Sequence, residues 1–441
     1  MTRKFLWRAA LSVVLLAGVC AAQDAPAEEK TSRERWEEKL AALKKAGEPV
    51  KFSECAPPKV PDRENAAEVY TEAWYEWEAL PEATRLRVDD LAGAREPWTE
   101  AETKEARKLL GEAADALGLL RQAASMKKCR FPLDYEGPAY AVLLPQLSRM
   151  QQFSRLMRFS ARLQLADAKA DAALVDCLTL VRMSRATEGE PILITRLVET
   201  AIRGVAAKAF EETLDRLEPS EKALREALAE LRDLDDRKAY VQSMRGERCM
   251  GIELIEASVK DPGALKQVLG EEPTWADRVK GWFAGPVLYA AGLKYLDVME
   301  DYVTLAAKPT HEVKDKVAAL MDRIEKEKRN PNNMFVGILL PALEKAGLAY
   351  DGGIARMQCT RLALALRLYR MKHDAYPDKL DALVPDCFDK LPVDPFSGKG
   401  YLYRREGKGF VVYSVSGNGT DDGGADNRSI GEGDLVLRCS R

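Results

Sequence analysis

The stretch that most limits the fold lies near the C-terminal end. From Ile354 to Lys372, helical spacing places Cys359, Leu362, Leu366 and Tyr369 on one stripe and Leu364, Leu368 and Met371 on the next. A helix covered on one side carries an apolar stripe little wider than about 100°. This segment therefore predicts one helix with cover on more than one side. Strand patterns follow at Tyr401 to Arg404, Phe410 to Val415 and Asp434 to Arg438. Glu406-Gly407-Lys408-Gly409 suits a hairpin between the first two. A helix laid on a small antiparallel sheet is the economical solution.

Upstream, the pattern is helical almost throughout. Thr31 and Glu34 form a capping-box signature ahead of Trp36, Leu40 and Leu43. Pro49, Pro57, Pro58 and Pro61 mark an extended segment. Ala66, Tyr70, Trp74 and Trp77 define a second helix, with the aromatics as core anchors. Glu100 to Leu120 reads as another helix. Leu143, Leu147, Met150, Met157, Ala161 and Leu165 precede a tight link at Asp167 to Asp171, and Ala172 to Met183 resumes the pattern. Such an antiparallel pair resembles one unit of a helical repeat, but no second copy recurs at a fixed period. Ile192 to Leu217 and Ser220 to Leu234 continue the series. The apolar run at 281–295 is broken by Pro286 and is too short to span a bilayer, so it predicts a buried core helix. Asn330-Pro331-Asn332-Asn333 predicts a turn, and Asp351-Gly352-Gly353 a change of character. The expected fold is mainly α: a multi-helix body with an α-hairpin of repeat-like character, then a small α+β domain with one long helix packed on an antiparallel sheet.

Composition bounds the function. Charged residues make up 31% of the 441 and the formal net charge is −3, so no basic surface points to nucleic acid. Arg3, Lys4 and Arg8 precede a short apolar stretch from Ala9 to Val19, and Cys20-Ala21-Ala22 supplies small residues for cleavage after Ala22. The expectation is export to the periplasm or beyond the cell, with no membrane span once the signal is cut. Retention through an uncleaved segment is the alternative. Lipidation at Cys20 ranks below simple cleavage, because Val19 stands where such signals place Gly or Ala. The expected divisions are a signal peptide at 1–22, a linker at 23–30, a helical body at 31–349 and the α+β domain at 350–441.

Beyond Cys20 there are seven cysteines, without a C-x-x-C spacing or a zinc pattern. Cys177 and Cys359 read as core residues, and Cys387 with Cys439 as a candidate pair within the tail. His311 and His373 are the two histidines, which leaves little for histidine-based metal or triad chemistry. His311-Glu312 begins like a zinc-protease motif, but Asp315 stands where the second histidine belongs. The pairs Asp89-Asp90, Asp235-Asp236 and Glu188 with Glu190 read as solvated faces rather than glycosidase carboxyls. Ser397, Ser414 and Ser416 lack a nucleophile-elbow context. Arg356, Arg361, Arg367 and Arg370 on the tail helix are expected to meet acidic surface of the body. No residue is assigned a catalytic role.

The order of motifs in the tail is more specific than any one of them. Leu362 to Tyr369 leads into Tyr376-Pro377-Asp378-Lys379-Leu380. Leu391-Pro392-Val393-Asp394-Pro395-Phe396 and Tyr401-Leu402-Tyr403 follow. Val412 to Gly419 then precedes Asp421-Asp422-Gly423-Gly424. This order resembles the C-terminal domain of the major (G-type) type II secretion pseudopilin, over roughly the last fifth of the chain. The start departs from that family, with a signal peptide in place of a prepilin-peptidase site and a filament helix. An ordinary filament subunit is therefore not expected. The arrangement as a whole is similar to exported bacterial proteins with a helical body and this tail.

The resemblance implies calcium in the loop before the last strand. Here that loop is Gly417 to Gly433, with Asn418, Asp421, Asp422, Asp426 and Asn427, and Asp434 just beyond. Calcium takes six to eight oxygens, and carboxylates on a glycine-permitted loop can supply them. A solvated Asp/Gly turn without an ion is the alternative. The expected function is a non-enzymatic exported or envelope protein: a helical scaffold for an unidentified protein partner, carrying the pseudopilin-like, calcium-stabilised domain. The alternative is an envelope hydrolase with a carboxylate site between body and tail.

Overall fold

The computed structural model describes residues 30–94, 97–232, 237–261, 285–327, 334–425 and 432–441. The signal segment, Asp235-Asp236, the turn at 330–333, Asp426 and Asn427 lie outside the described residues. Elements below are numbered in chain order among the described residues.

The fold is mainly α, with a small three-stranded antiparallel sheet at the C-terminal end. Helix α1 (Ser32–Lys45) opens with the expected capping box, in which the Thr31 hydroxyl accepts from Glu34 N and the Glu34 carboxylate accepts from Thr31 N. The proline-rich segment forms short 3-10 turns at Phe52–Cys55 and Asp62–Glu64. Helix α2 (Ala66–Ala79) buries Ala66, Tyr70 and Trp77, as its spacing predicts. Helix α3 (Glu82–Gly93) follows. The helix expected from Glu100 to Leu120 is two: α4 (Glu100–Glu112) and α5 (Ala114–Ser125), divided at Ala113. Ala113 is an ordinary helix former, so composition does not signal the division.

The antiparallel pair is present as α6 (Pro145–Ala166) and α7 (Ala170–Ser184), joined at Asp167–Lys169, where Ala168 takes a positive φ of 56°. Leu143 lies outside α6 and is 83% exposed. Helix α8 (Leu193–Arg216) packs on both α6 and α7 and carries the C-terminal helix on its other side. Next come α9 (Glu221–Glu230), α10 (Arg237–Lys260), α11 (Gly285–Ala306) and α12 (Thr310–Glu327). From Gly285 onward the apolar run belongs to α11, whose Ala291, Tyr295 and Leu296 are buried in the core; residues 281–284 lie outside the described residues. Among the described residues no helix is long and apolar enough to cross a membrane.

Helix α13 runs from Met334 to His373, 40 residues and about 60 Å at 1.5 Å per residue. It begins well before the expected Ile354, and Asp351-Gly352-Gly353 is continuous helix rather than a break. Glycine inside a helical pattern commonly reads as punctuation. Here its use is close packing: a Cβ on Gly353 would stand 2.9 Å from a methyl carbon of Thr200 on α8. The first half of α13 joins a core with α1, α10 and α11 through Leu343, Ala346, Tyr350 and Ile354. The second half joins the main core, which runs from α2 through α6–α8 to the sheet. That division explains the wide apolar arc, since α8 and α9 cover one side and the sheet the other.

Strands β1 (Leu402–Glu406), β2 (Gly409–Ser414) and β3 (Leu435–Cys439) lie in the order β1-β2-β3. Glu406 pairs with Gly409, which leaves Gly407-Lys408 as a two-residue turn with Gly407 at φ +57°. The central strand β2 is buried along its whole length. Cys387 and Cys439 are both free thiols, not a disulfide. Cys439 sits opposite Phe410, fully buried, whereas Cys387 lies half-buried in the turn after Leu383.

Candidate functional site

The tail loop starts where β2 leaves the sheet. Ser416 (φ +57°), Gly419 (φ +70°), Gly423 (φ +70°) and Gly424 (φ +75°) allow the chain to turn back on itself. Asn418 Nδ2 donates to Asp422 Oδ2 at 2.9 Å, and Asn418 Oδ1 accepts from Thr420 N. Asp421 Oδ1 accepts from the Tyr413 hydroxyl at 3.0 Å and from Gly423 N at 2.9 Å. Asp434 Oδ2, at the far end of the loop, accepts from Asp422 N at 3.1 Å and Gly424 N at 2.7 Å. The loop is thus pinned at both ends by side chains named from its sequence.

Asp434 is fully buried, and its other oxygen, Oδ1, has no hydrogen-bond partner. An unpaired buried carboxylate oxygen is costly. Burial pushes the Asp434 carboxyl above its usual range, and the negative charges of Asp422 and Asp421 push the same way. A cation beside Oδ1 would satisfy it. Asn418, Asp421, Asp422 and Asp434 are therefore joined by hydrogen bonds as one loop. Among the described residues, however, no three His, Cys, Asp or Glu side chains gather as a metal-holding group. Arginines also serve the loop: Arg404 donates to Gly423 O at 3.0 Å and Arg438 to Gly424 O at 3.3 Å.

Beside this loop, Asp394 organises the turn before β1. It is buried, and its carboxylate accepts from Phe396 N, the Ser414 and Ser397 hydroxyls and Val415 N. Ser397 and Ser414 are thereby structural. His311 lies against the same turn, with its backbone N–H donating to Pro395 O and its Nδ1 at 3.1 Å from that oxygen. His373 ends α13 stacked on Tyr369.

The tail meets the body along a bonded seam. Arg367 Nη2 donates to Leu217 O at 2.9 Å, while Arg367 and Arg370 each stand 3.8 Å from the Glu218 carboxylate. Ser440 donates through N and Oγ to Asp215, and Arg438 N donates to Glu211. The expected encounter of tail arginines with acidic body surface thus holds for Arg367 and Arg370. Arg361 instead donates to Gln358 and lies over the Phe388 ring.

Three polar groups inside the body escaped sequence reading. Arg196, Glu199 and Arg203 form an ion triad on α8, each nearly fully buried. Their i,i+3 and i,i+4 spacing was the available signal, but it is equally that of a solvated face. Glu190 is buried, not solvated, and accepts from Gln146 at 3.1 Å. Burial pushes its carboxyl up to about 7. Asp89, by contrast, pairs with Arg155 near the surface. A surface cleft of about 470 Å³ opens between α1 and α10, lined by Lys44, Gly47, Glu48, Pro49, Glu54, Gln242 and Arg245. Burial opposes ionisation of Glu48, yet hydrogen bonds from Arg245 and Arg248 hold its carboxyl below the usual range.

No protein-family model, curated protein or solved structure matches this chain.

Proposed function

We propose that the chain is a non-enzymatic exported or envelope protein, a rigid helical scaffold for a protein partner whose pseudopilin-like tail is stabilised by calcium. The observation that carries this reading is the seam. Helix α13 is common to body and tail, and Arg367, Arg438 and Ser440 close the junction with hydrogen bonds to Leu217, Glu211 and Asp215. The Glu211 and Asp215 carboxylates accept from backbone amides and the Ser440 hydroxyl across the seam, as befits a fixed surface rather than a hinged, reactive cleft. Calcium would act structurally: Asp434 Oδ1 is the unpaired acceptor that invites it, in the loop that also carries Asp421 and Asp422.

The test follows the full chain expressed in a bacterium with an export pathway. The reading expects a mature protein cut after Ala22 in the envelope or external fraction, cross-linking there to a specific protein. A chain left uncut in the cytoplasm would reject export. A purified chain that turns over hydrolase substrates, and loses that turnover when a seam carboxylate is changed, would reject the scaffold.

A further inference from the structure

The sulfurs of Cys55 and Cys249 lie 3.8 Å apart, although 194 positions separate them in the chain. Cys55 closes the 3-10 turn Phe52–Cys55, and Cys249 projects from the middle of α10. Both are buried, in a small core with Phe52, Tyr135, Ala139 and Ile192. The juxtaposition does not depend on the sulfurs themselves. Glu253 lies one helical turn beyond Cys249, on the same face of α10, and its carboxylate accepts from Phe52 N at 2.8 Å. Its other oxygen accepts from Ala139 N at 3.1 Å. The Glu54 carboxylate ties the turn internally by accepting from Val50 N and Lys51 N. Phe52 stacks on Tyr135 with ring centroids 5.3 Å apart. Two segments are thus clamped in register, with a thiol from each facing the other.

We propose that Cys55 and Cys249 are a cross-linking site, joined as a disulfide when the chain folds in the presence of a thiol oxidant. A disulfide needs an S–S separation of about 2.05 Å, so the present 3.8 Å between the sulfurs has to shorten by side-chain rotation as the bond forms. The oxidant is an external disulfide, small-molecule or enzymic, acting before the turn closes over the site. The Cys55 thiolate attacks one sulfur of that disulfide, forming a mixed disulfide and releasing a thiolate. Cys249 then gives up its proton and attacks the Cys55 sulfur, displacing the second thiolate. Two protein thiols lose two protons and two electrons, and the oxidant becomes two thiols. The remaining cysteines are placed otherwise: Cys177 contacts Thr213, Cys359 contacts Leu435 O, and Cys129, Cys387 and Cys439 are free in other surroundings.

The test needs only the full wild-type chain, refolded in a glutathione redox couple, then alkylated in denaturant without reduction and digested. The expected result is one cross-linked peptide pair joining Cys55 to Cys249. The intact chain should then carry two fewer alkyl groups than a reduced control. Folded protein in which both cysteines alkylate fully, or in which either joins a different cysteine, overturns the proposal. As an independent readout, reductant should lower the melting temperature of wild type but not of a C55A/C249A variant. An equal fall in both also counts against the bridge. Since the mapping uses wild type alone, it stands even where that variant does not fold.

Discussion

Asp351 holds Arg237 at 2.6 Å through one carboxylate oxygen and, through the other, accepts from both the backbone N–H and the hydroxyl of Thr310. One buried side chain on α13 therefore fixes the first residues of both α10 and α12. Burial raises the Asp351 carboxyl, with Arg237 and the Thr310 bonds opposing. Asp351→Ala would remove the ion pair with Arg237, itself half-buried over the Tyr350 ring, together with both bonds to Thr310. The expected loss is about 3 kcal/mol, the low end for breaking a buried pair. Urea unfolding with an unchanged m-value would measure it. A loss within about 0.5 kcal/mol, the range of ordinary surface changes, would show that the clamp contributes little.

The ion triad on α8 gives a sharper case. Glu199 lies between Arg196 and Arg203 and carries the negative charge that balances two buried guanidinium groups. Glu199→Ala should destabilise the fold by about 3–5 kcal/mol, because it strands two charges rather than removing a neutral contact. A triple change of Arg196, Glu199 and Arg203 to apolar residues should cost less than that single change. If the single change proves the milder one, the stranded-charge argument fails.

Glu190 makes stability depend on pH. Its carboxyl titrates at about 7 in the folded chain, against a reference of 4.5, because burial outweighs the Gln146 hydrogen bond and the Arg196 charge. Between those values the folded state holds a proton that the unfolded state has released. The stabilisation is complete below the unfolded value and is lost as pH rises through the folded one. Its size is on the order of 3 kcal/mol. Glu190→Gln should flatten this part of the profile, read as the difference between wild-type and variant urea midpoints at about pH 5 and about pH 8. Parallel profiles would place the titration elsewhere.

Calcium should raise the melting temperature of the full chain and bind in calorimetry. The full chain is the right material, because α13 shares its packing between the body and the tail. At one hundred times its dissociation constant, a ligand of the folded state adds about 2.7 kcal/mol. A D421N/D422N variant should lose the effect while remaining folded. Acidification should weaken binding earlier than for an exposed aspartate, since burial raises the Asp434 carboxyl and a proton competes with the ion. No heat and no shift at millimolar calcium would leave the loop as a hydrogen-bonded turn held by Arg404 and Arg438.

Much of the architecture was legible locally. The Thr31–Glu34 capping box, the aromatic face of α2, the α6–α7 pair and the hairpin at Gly407-Lys408 each follow from spacing and turn chemistry within a few residues. In the tail loop Asn418, Asp421, Asp422 and Asp434 are hydrogen-bonded as one unit, while Asp426 lies outside the described residues. The misreadings share a cause. Gly352-Gly353 reads as a break along the chain, yet Gly353 serves contact with Thr200, about 150 positions away. Glu190 and Glu199 look like solvated carboxylates until α8 is placed in the core.

The sequence by itself determined that the body is helical and that the tail ends in a hairpin and a third strand, because periodicity, caps and turn residues act over a few residues of chain. It also determined that the tail helix needs two covers, since its apolar arc is too wide for one. Tertiary structure alone decided what those covers are, that body and tail share a single continuous helix, and which charges are buried. It alone set Cys55 beside Cys249 in place of the expected Cys387 and Cys439. Burial and long-range pairing depend on how distant segments pack, and no local pattern carries that information.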